Sequence, residues 1–263
     1  MLHSVSRAGK ILDLFTVKTP EWSVSQAAKE LGVSKPTASE LMATLANMGL
    51  LARTSERSYR LGWRLLDLGQ TLLRTTDIYG EAHEELQTLV ERWSEAGSLS
   101  IFDGNQVICI ERLQGASTVS VLLSQVGMQL PVYASGGGKV LLAHQKWSEV
   151  RKLLDRQEFM ALTPNTITAL DVLVDELEQI RTQGYAYDKE EFFSGLCAIS
   201  APIRNIDGAV TSCISMLMSA RRFHQNTGNY TDIVLRTAGR ISEHLGYRAK
   251  TYRMAGTPSS VRR

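Results

Sequence analysis

Apolar positions recur at helical spacing through the first fifty residues and give way to alternation beyond residue 97. Ala8, Ile11, Leu12, Leu14 and Phe15 fall close to one helical stripe, which Lys18-Thr19-Pro20 ends. Ser23 with Gln26 three residues on forms a capping box. Ala27, Ala28 and Leu31 then supply an apolar face, and Gly32 offers a left-handed stop. Ser34 caps a third helix with Pro36 in its first turn. Its apolar stripe is Ala38, Leu41, Met42, Leu45 and Met48, and Gly49 closes it. Residues 50–53 and 58–61 read as the strands of a hairpin whose turn is Thr54-Ser55-Glu56-Arg57.

Two short helices joined through a Gly turn, the second preceded by Ser-Lys-Pro-Thr, have the spacing of a helix-turn-helix, and the hairpin behind them has the place of a wing. The third helix has two unlike faces. One buries Ala38, Leu41, Met42 and Leu45. The other carries Lys35, Pro36, Thr37, Ser39, Glu40, Ala43 and Thr44 and is slim enough for a major groove. Ser34, Lys35 and Thr37 at the positive helix end are candidates for phosphate contacts, with Thr37, Ser39 and Glu40 placed toward base edges. Arg57 and Arg60 on the wing complete the candidate DNA-contacting set, with Pro36 setting the start of the helix. A three-helix protein-interaction module is the competing reading, and the wing weighs against it.

A further helix is expected to begin near residue 61, and a longer one spans 78–96 through Leu86, Leu89, Val90 and Trp93. These helices connect the modules and offer a surface for pairing between subunits. Strand segments follow at 98–102, 106–112 and 118–124, with the turn Asp103-Gly104-Asn105 between the first two. Helices are expected at 138–144, 147–154 and 169–183, and strands again at 185–188 and 209–217. The mixture argues an α+β chain whose second domain is built on an antiparallel sheet. The divisions are 1–75, a linker helix 76–96, a second domain 97–250, and a basic tail 251–263 without apolar periodicity, expected to fray.

Charge changes the picture more than composition does. The net +2 divides unevenly, with ten Lys/Arg against six Asp/Glu over 1–75, 14 against 21 over 76–245, and five against none over 246–263. A modestly basic N-terminal module on an acidic body suits a polyanion contact confined to one end. With 43% hydrophobic residues and 6 Pro, the chain has the material for packed cores, which excludes a disordered protein. It has no apolar run of the roughly 20 residues a membrane span needs, and residues 1–10 lack a signal-peptide core, so a cytoplasmic protein is expected. Cys109, Cys197 and Cys213 are too scattered for a disulfide framework and read as buried thiols.

Candidate chemistry in the second domain is sparse. Ser135-Gly136-Gly137-Gly138-Lys139 fails the phosphate-loop spacing, since Tyr133 stands where the first Gly belongs and Val140 follows the Lys. What remains is a Gly run at a helix start, either a tight turn or a receptor for an anion such as a carboxylate. Asp188, Glu190 and Glu191 cluster without a His, Cys or further carboxylate at metal-ligand spacing. No nucleophile motif is present, and Met216 and Met218 read as core or pocket lining. No catalytic residue, metal or cofactor is expected.

The order and spacing of several fragments resemble the IclR-type transcriptional regulators over about residues 5–247. The fragments are Ala27-Ala28-Lys29-Glu30-Leu31-Gly32-Val33-Ser34-Lys35-Pro36-Thr37, Tyr59-Arg60-Leu61-Gly62, Leu130-Pro131 leading to Gly138-Lys139, and Gly184-Tyr185 with Asp188, Glu190 and Glu191. Gly195, Ala201-Pro202-Ile203, Asp207-Gly208 and Leu245-Gly246-Tyr247 complete them. The resemblance implies a winged helix-turn-helix joined to a GAF-like effector domain. It also implies double-stranded operator DNA bound by a homodimer or homotetramer, a small carboxylate effector, and no enzyme activity. Repression is the expected sign.

The family's effector positions fall on Leu130, Gly136, Gly137, Asp188, Ala198, Ser215 and Leu217. Ala198 and Leu217 depart from the pattern, which places Cys or Ser and a second Ser there. The less polar wall suggests a larger or more hydrophobic acid, aromatic or branched. Glu40 stands where the family often carries Arg, so it either reads a cytosine amino group or points away. The rival from another class is a small-acid-binding enzyme that uses the Gly run and Asp188, its N-terminal module serving assembly.

Overall fold

A computed structural model describes residues 2–54, 58–104, 106–116 and 125–248. Arg57, the strand expected at 118–124 and the tail from 251 lie outside the described residues. The chain divides into two compact units, Met1–Thr75 and Thr76–Arg263.

The first unit holds α1 (His3–Asp13), β1 (Glu21–Ser23), α2 (Val24–Leu31), α3 (Lys35–Asn47), β2 (Leu51–Arg53), β3 (Ser58–Leu61) and α4 (Arg64–Arg74). Both expected caps form. Ser23 Oγ accepts from Gln26 N at 3.3 Å while Gln26 Oε1 accepts from Ser23 N at 2.9 Å, and Ser34 caps α3. Gly32 takes the left-handed conformation that turns the chain from α2 into α3, at φ 64°. Ile11, Ala27, Met42, Leu45, Leu51 and Tyr59 form the core.

The wing has one more strand than its sequence announces. Its sheet order is β1-β3-β2, with Trp22 and Arg53 both opposite Tyr59. β1 is only Glu-Trp-Ser, too short to alternate, and it is held by Trp22 Nε1 donating to Leu14 O at 2.9 Å. Gly62 closes the base of the wing, where a Cβ would lie 2.1 Å from Gly49 O. That approach delays α4, which starts at Arg64 rather than near residue 61.

The second unit begins with α5 (Asp77–Trp93), which ends three residues before the expected position because Ser94 turns left-handed at φ 56° and Ala96 already belongs to a strand. There follow β4 (Ala96–Phe102), β5 (Val107–Leu113), β6 (Gln129–Leu130), α6 (Gly136–Ala143), α7 (Trp147–Leu154), α8 (Leu170–Gln183), β7 (Ala186–Lys189), β8 (Leu196–Arg204), β9 (Val210–Ser219) and α9 (Ala220–His244). The strands form one antiparallel sheet in the order β6-β5-β4-β9-β8-β7. Side chains alternate across it. Gly97 faces α5, where a Cβ would meet Leu86 at 2.6 Å, and Tyr187 reaches Thr231 of α9 at 2.9 Å. Ser200 and Ser215, on the other face, meet the glycines of α6. The sheet thus lies between helices on both sides, an α+β architecture.

β8 and α9 are absent from the sequence-based expectations, each for a local reason. Pro202 interrupts the run of β8, and proline argues against a central strand. Here β7 pairs only as far as Ser200, so the side of β8 next to Pro202 is an edge. α9 opens on the polar stretch Arg221 to Asn229, and Asn226 breaks the helical backbone at φ −154°, ψ 40°.

Candidate nucleic-acid interface and effector cavity

Helix α3 separates its faces as its composition requires. Ala38, Met42 and Leu45 are buried, Leu41 is half-buried, and Met48 is exposed beyond the last turn. Ser34, Lys35, Pro36, Ser39 and Glu40 are exposed on the other side. Thr37 differs from its expected role. It is half-buried and its hydroxyl lies 2.8 Å from Ser34 Oγ, which also accepts from Thr37 N at 3.3 Å. The two hydroxyls build the helix cap, leaving Lys35 as the formal positive charge of the first turn. Arg60 is exposed on β3, and among the described residues neither Lys35 nor Arg60 stands in an ion pair. Arg53 stiffens the wing from inside, its Nε donating to Tyr59 Oη at 2.9 Å.

In the second unit, α6 starts where the main chain leaves β6 at Pro131. Ser135 Oγ donates to Pro131 O at 2.7 Å and accepts from Gly138 N at 3.1 Å. The N–H groups of Gly136 and Gly137 have no acceptor among the described residues. These are the orphan donors of a helix N-terminus, and they sit at the positive end of its dipole. The glycines also have a packing reason. A Cβ at Gly136 would lie 2.7 Å from Ser200 Oγ, and one at Gly138 2.6 Å from Val132 Cα. The turn and the open amides are therefore two aspects of one feature.

Sheet register lays hydroxyls beneath these amides. Ser98, Ser215 and Ser200 occupy one row across β4, β9 and β8, with Ser200 Oγ and Ser215 Oγ 2.7 Å apart. Leu217, Ala198 and Asp188 occupy the next row. A cavity of about 40 Å³ lies over them, and all seven residues named from the family resemblance line it. Ser98, Ser135, Phe192, Phe193, Leu196 and Cys197 line it as well. The cavity is far smaller than the roughly 300 Å³ at the low end of ligand pockets. An aromatic acid needs Leu130 or the Phe192–Phe193 pair, whose ring centres are 4.0 Å apart, to move. A wider cleft of about 810 Å³ shares Leu130 and Phe192 with it.

Charge around the cavity is arranged in depth. Asp188 is 7% exposed, and its Oδ1 accepts from Glu191 N at 2.8 Å and Phe192 N at 3.3 Å. Burial pushes its carboxyl up to about 7, and the neighbouring Glu191 charge adds to the rise, while the amide donors and Lys139 act against it. Lys139 is wholly buried. Its Nζ lies 2.7 Å from each carboxylate oxygen of Glu191 and 2.6 Å from Glu176 Oε1. Glu190, expected beside these carboxylates, instead takes a left-handed backbone at φ 61° and accepts from Gly195 N at 2.6 Å. Thr163 and Thr166 fix the same segment through the carbonyls of Glu190 and Glu191, at 2.6 and 2.7 Å. Burial pushes the thiols of Cys109 and Cys197 up to about 11 and that of Cys213 up to about 12. No group of His, Cys, Asp and Glu among the described residues is disposed to hold a metal ion.

Ser98, Phe192 and Phe193 escaped sequence reasoning. Ser98 reaches the cavity because β4 lies beside β9, more than a hundred residues away, a pairing no local pattern announces. The adjacent Phe192-Phe193 following a carboxylate cluster was the one visible signal for the wall.

A helix-turn-helix with a wing and a sheet domain with an anion-receptive helix start define a regulator class, and comparison with known proteins agrees. The description "Bacterial transcriptional regulator IclR C-terminal" matches residues 70–243, and "IclR helix-turn-helix domain" matches residues 4–55. The chain belongs to the IclR family of transcriptional regulators. It is 32% identical over 251 residues to the HTH-type transcriptional regulator XynR of Escherichia coli, covering 95% of this chain and 99% of that protein. The Thermotoga maritima IclR crystal structure matches with TM-score 0.72 and 31% identity over 94% of this chain and 100% of that one. An IclR homologue of Microbacterium hydrocarbonoxydans, complexed with 4-hydroxybenzoate, matches with TM-score 0.79 and 25% identity over 92% and 98% of the two chains. These relatives are regulators rather than enzymes, and no helix among the described residues is long and apolar enough to cross a membrane.

Proposed function

We propose that the chain represses transcription by binding operator DNA as a homodimer or homotetramer in the cytoplasm, and that a small organic acid in the α6 cavity changes this binding. The observation that carries the effector reading is the pair of open amides at Gly136 and Gly137, lining a cavity floored by serine hydroxyls. The ligand carried by the Microbacterium homologue is an acid and supports the same class.

In this reading 1–75 binds DNA, 76–96 links, and 97–250 holds the effector and makes subunit contacts. α3 enters the major groove with Ser39 and Glu40 toward base edges, while Ser34, Lys35, Pro36 and Thr37 form its phosphate-facing end. Arg60 reaches from the wing, and Arg57 is proposed as a second DNA contact from its sequence position alone. A second copy of the chain is the partner for α4. None of its residues is buried, and Leu66, Leu68 and Leu72 are exposed at 56, 48 and 66%. A two-fold dimer reads half-sites about 34 Å apart or a multiple of that.

The effector acts through different affinities for two arrangements of the oligomer. The test is a DNA-binding titration with a panel of carboxylates. Displacement or tightening by one acid, lost in Gly137→Ala, supports the reading. A response that survives Gly137→Ala places the effector elsewhere.

A further inference from the structure

The carboxylates around the cavity outnumber the cations that neutralise them. The charged and titratable groups around Asp188 are Glu191 on its own segment, Lys139 on α6, which Glu176 of α8 shares, and the Cys197 thiol on β8, while Lys189 and Glu190 flank the segment but are turned elsewhere. Lys139 is the cation among them that lies buried beside the cavity, and both Glu191 and Glu176 draw on it. Lys189 Nζ lies 5.2 Å from the Tyr187 ring centre, on the face of the sheet turned to α9. The Glu190 carboxylate is engaged with Gly195 N. Lys139, Glu176 and Glu191 together carry one net negative charge, and an ionised Asp188 makes it two. An acid on the Gly136 and Gly137 amides adds a third, against donors worth about half a charge at the helix start.

Asp188 has the means to remove one of these charges. Its Oδ1 is occupied by two amides, Oδ2 makes no hydrogen bond among the described residues, and the residue lines the cavity. At 7% exposure there is little water to solvate a charge there. Two carboxyl groups brought together in such a place share a proton rather than ionise twice.

We propose that Asp188 meets the effector as a neutral acid, donating a hydrogen bond from Oδ2 to the effector's carboxylate, so that binding above neutral pH takes up one proton from solvent. The proposal rests on the carboxylate reading of the cavity. The effector class it selects is an acid that presents a hydrogen-bond acceptor at this wall. The upward displacement of the Asp188 carboxyl agrees with it.

The full-length protein and its Asp188→Asn variant, an uncharged donor of the same shape, separate the two ideas. Calorimetric titration with glyoxylate, acetate and 4-hydroxybenzoate at pH 6 to 8.5, in buffers of different ionisation heat, reads affinity and proton uptake together. The wild type is expected to lose affinity about tenfold per pH unit above neutrality and to take up one proton per acid bound. Asp188→Asn is expected to show neither. Binding at pH 8 to 8.5 without proton uptake by the wild type, whether or not Asp188→Asn still binds, makes Asp188 an ionised acceptor and overturns the proposal.

If none of the three acids binds, the carboxylate reading fails, and ligand-free melting still decides the proton. A carboxyl raised in the folded state favours folding at low pH and loses that contribution as pH climbs from the ordinary carboxylate range through about 7. The melting temperature of Asp188→Asn should therefore gain on the wild type between pH 5 and 8. A constant difference overturns the neutral Asp188.

Discussion

Lys35 stands at the exposed first turn of α3 with no acidic partner among the described residues, so its charge is available to a phosphate. Lys35→Ala should weaken DNA binding and lower the log–log salt slope by about 1, measured by anisotropy over a salt series. An unchanged slope removes Lys35 from the phosphate contacts. Glu40 shares the exposed surface but cannot hold a phosphate. If it accepts from a cytosine amino group, Glu40→Ala shifts the preferred operator sequence, and if it points away the preference stays and nonspecific affinity rises. A selection from randomised duplexes separates the two.

Lys139 is the opposite case, a charge whose use comes wholly from its burial. Lys139→Met strands Glu191 and Glu176 and should cost about 3–5 kcal/mol in denaturant unfolding. A cost below about 1 kcal/mol would mean that the cluster reorganises freely. The sequence placed Lys139 behind a failed phosphate loop. Its real partners lie 37 and 52 residues away, which is why spacing alone did not reveal them.

At the scale of elements, legibility follows how local the determinants are. α2 and α3 were readable because Ser23, Gln26, Gly32, Ser34 and Pro36 each act within one turn of the chain. β8 was not, since the tolerance of Pro202 depends on how short β7 is. The cavity was named from fragments of family pattern, and its floor of Ser98 and Ser215 follows from strand order that only the fold supplies.

α4 shows the same principle in reverse, because its apolar residues were visible, yet none of them is buried among the described residues and Leu66 and Leu68 stay largely exposed. Replacing Leu66 and Leu72 by Ser should leave the melting temperature within a few degrees, as both are already exposed, and should lower the assembly state in sedimentation velocity. Unaltered assembly would move the subunit contact off α4.

For the whole molecule, charge and architecture point the same way. The basic excess lies within 1–75 and at the C-terminal end, while 76–245 is acidic, so the charge of 1–75 favours DNA at the helix-turn-helix. The sheet domain in turn offers a buried helix start whose donors have no acceptor among the described residues. In the proposed function the two are linked, and linkage requires reciprocity: an acid that lowers DNA affinity must itself bind less tightly to the DNA complex, by the same factor.

The most direct test of that claim is a binding titration of the full chain on the intergenic duplex beside its own gene and on an unrelated duplex of equal length. Two salt concentrations are used, with and without a panel of small carboxylates. The account predicts far tighter binding to the first duplex, affinity that falls as salt rises, and a shift caused by at least one acid in wild type and not in Gly137→Ala. Equal weak binding to both duplexes under every condition, or a specific complex that no carboxylate perturbs, would contradict it.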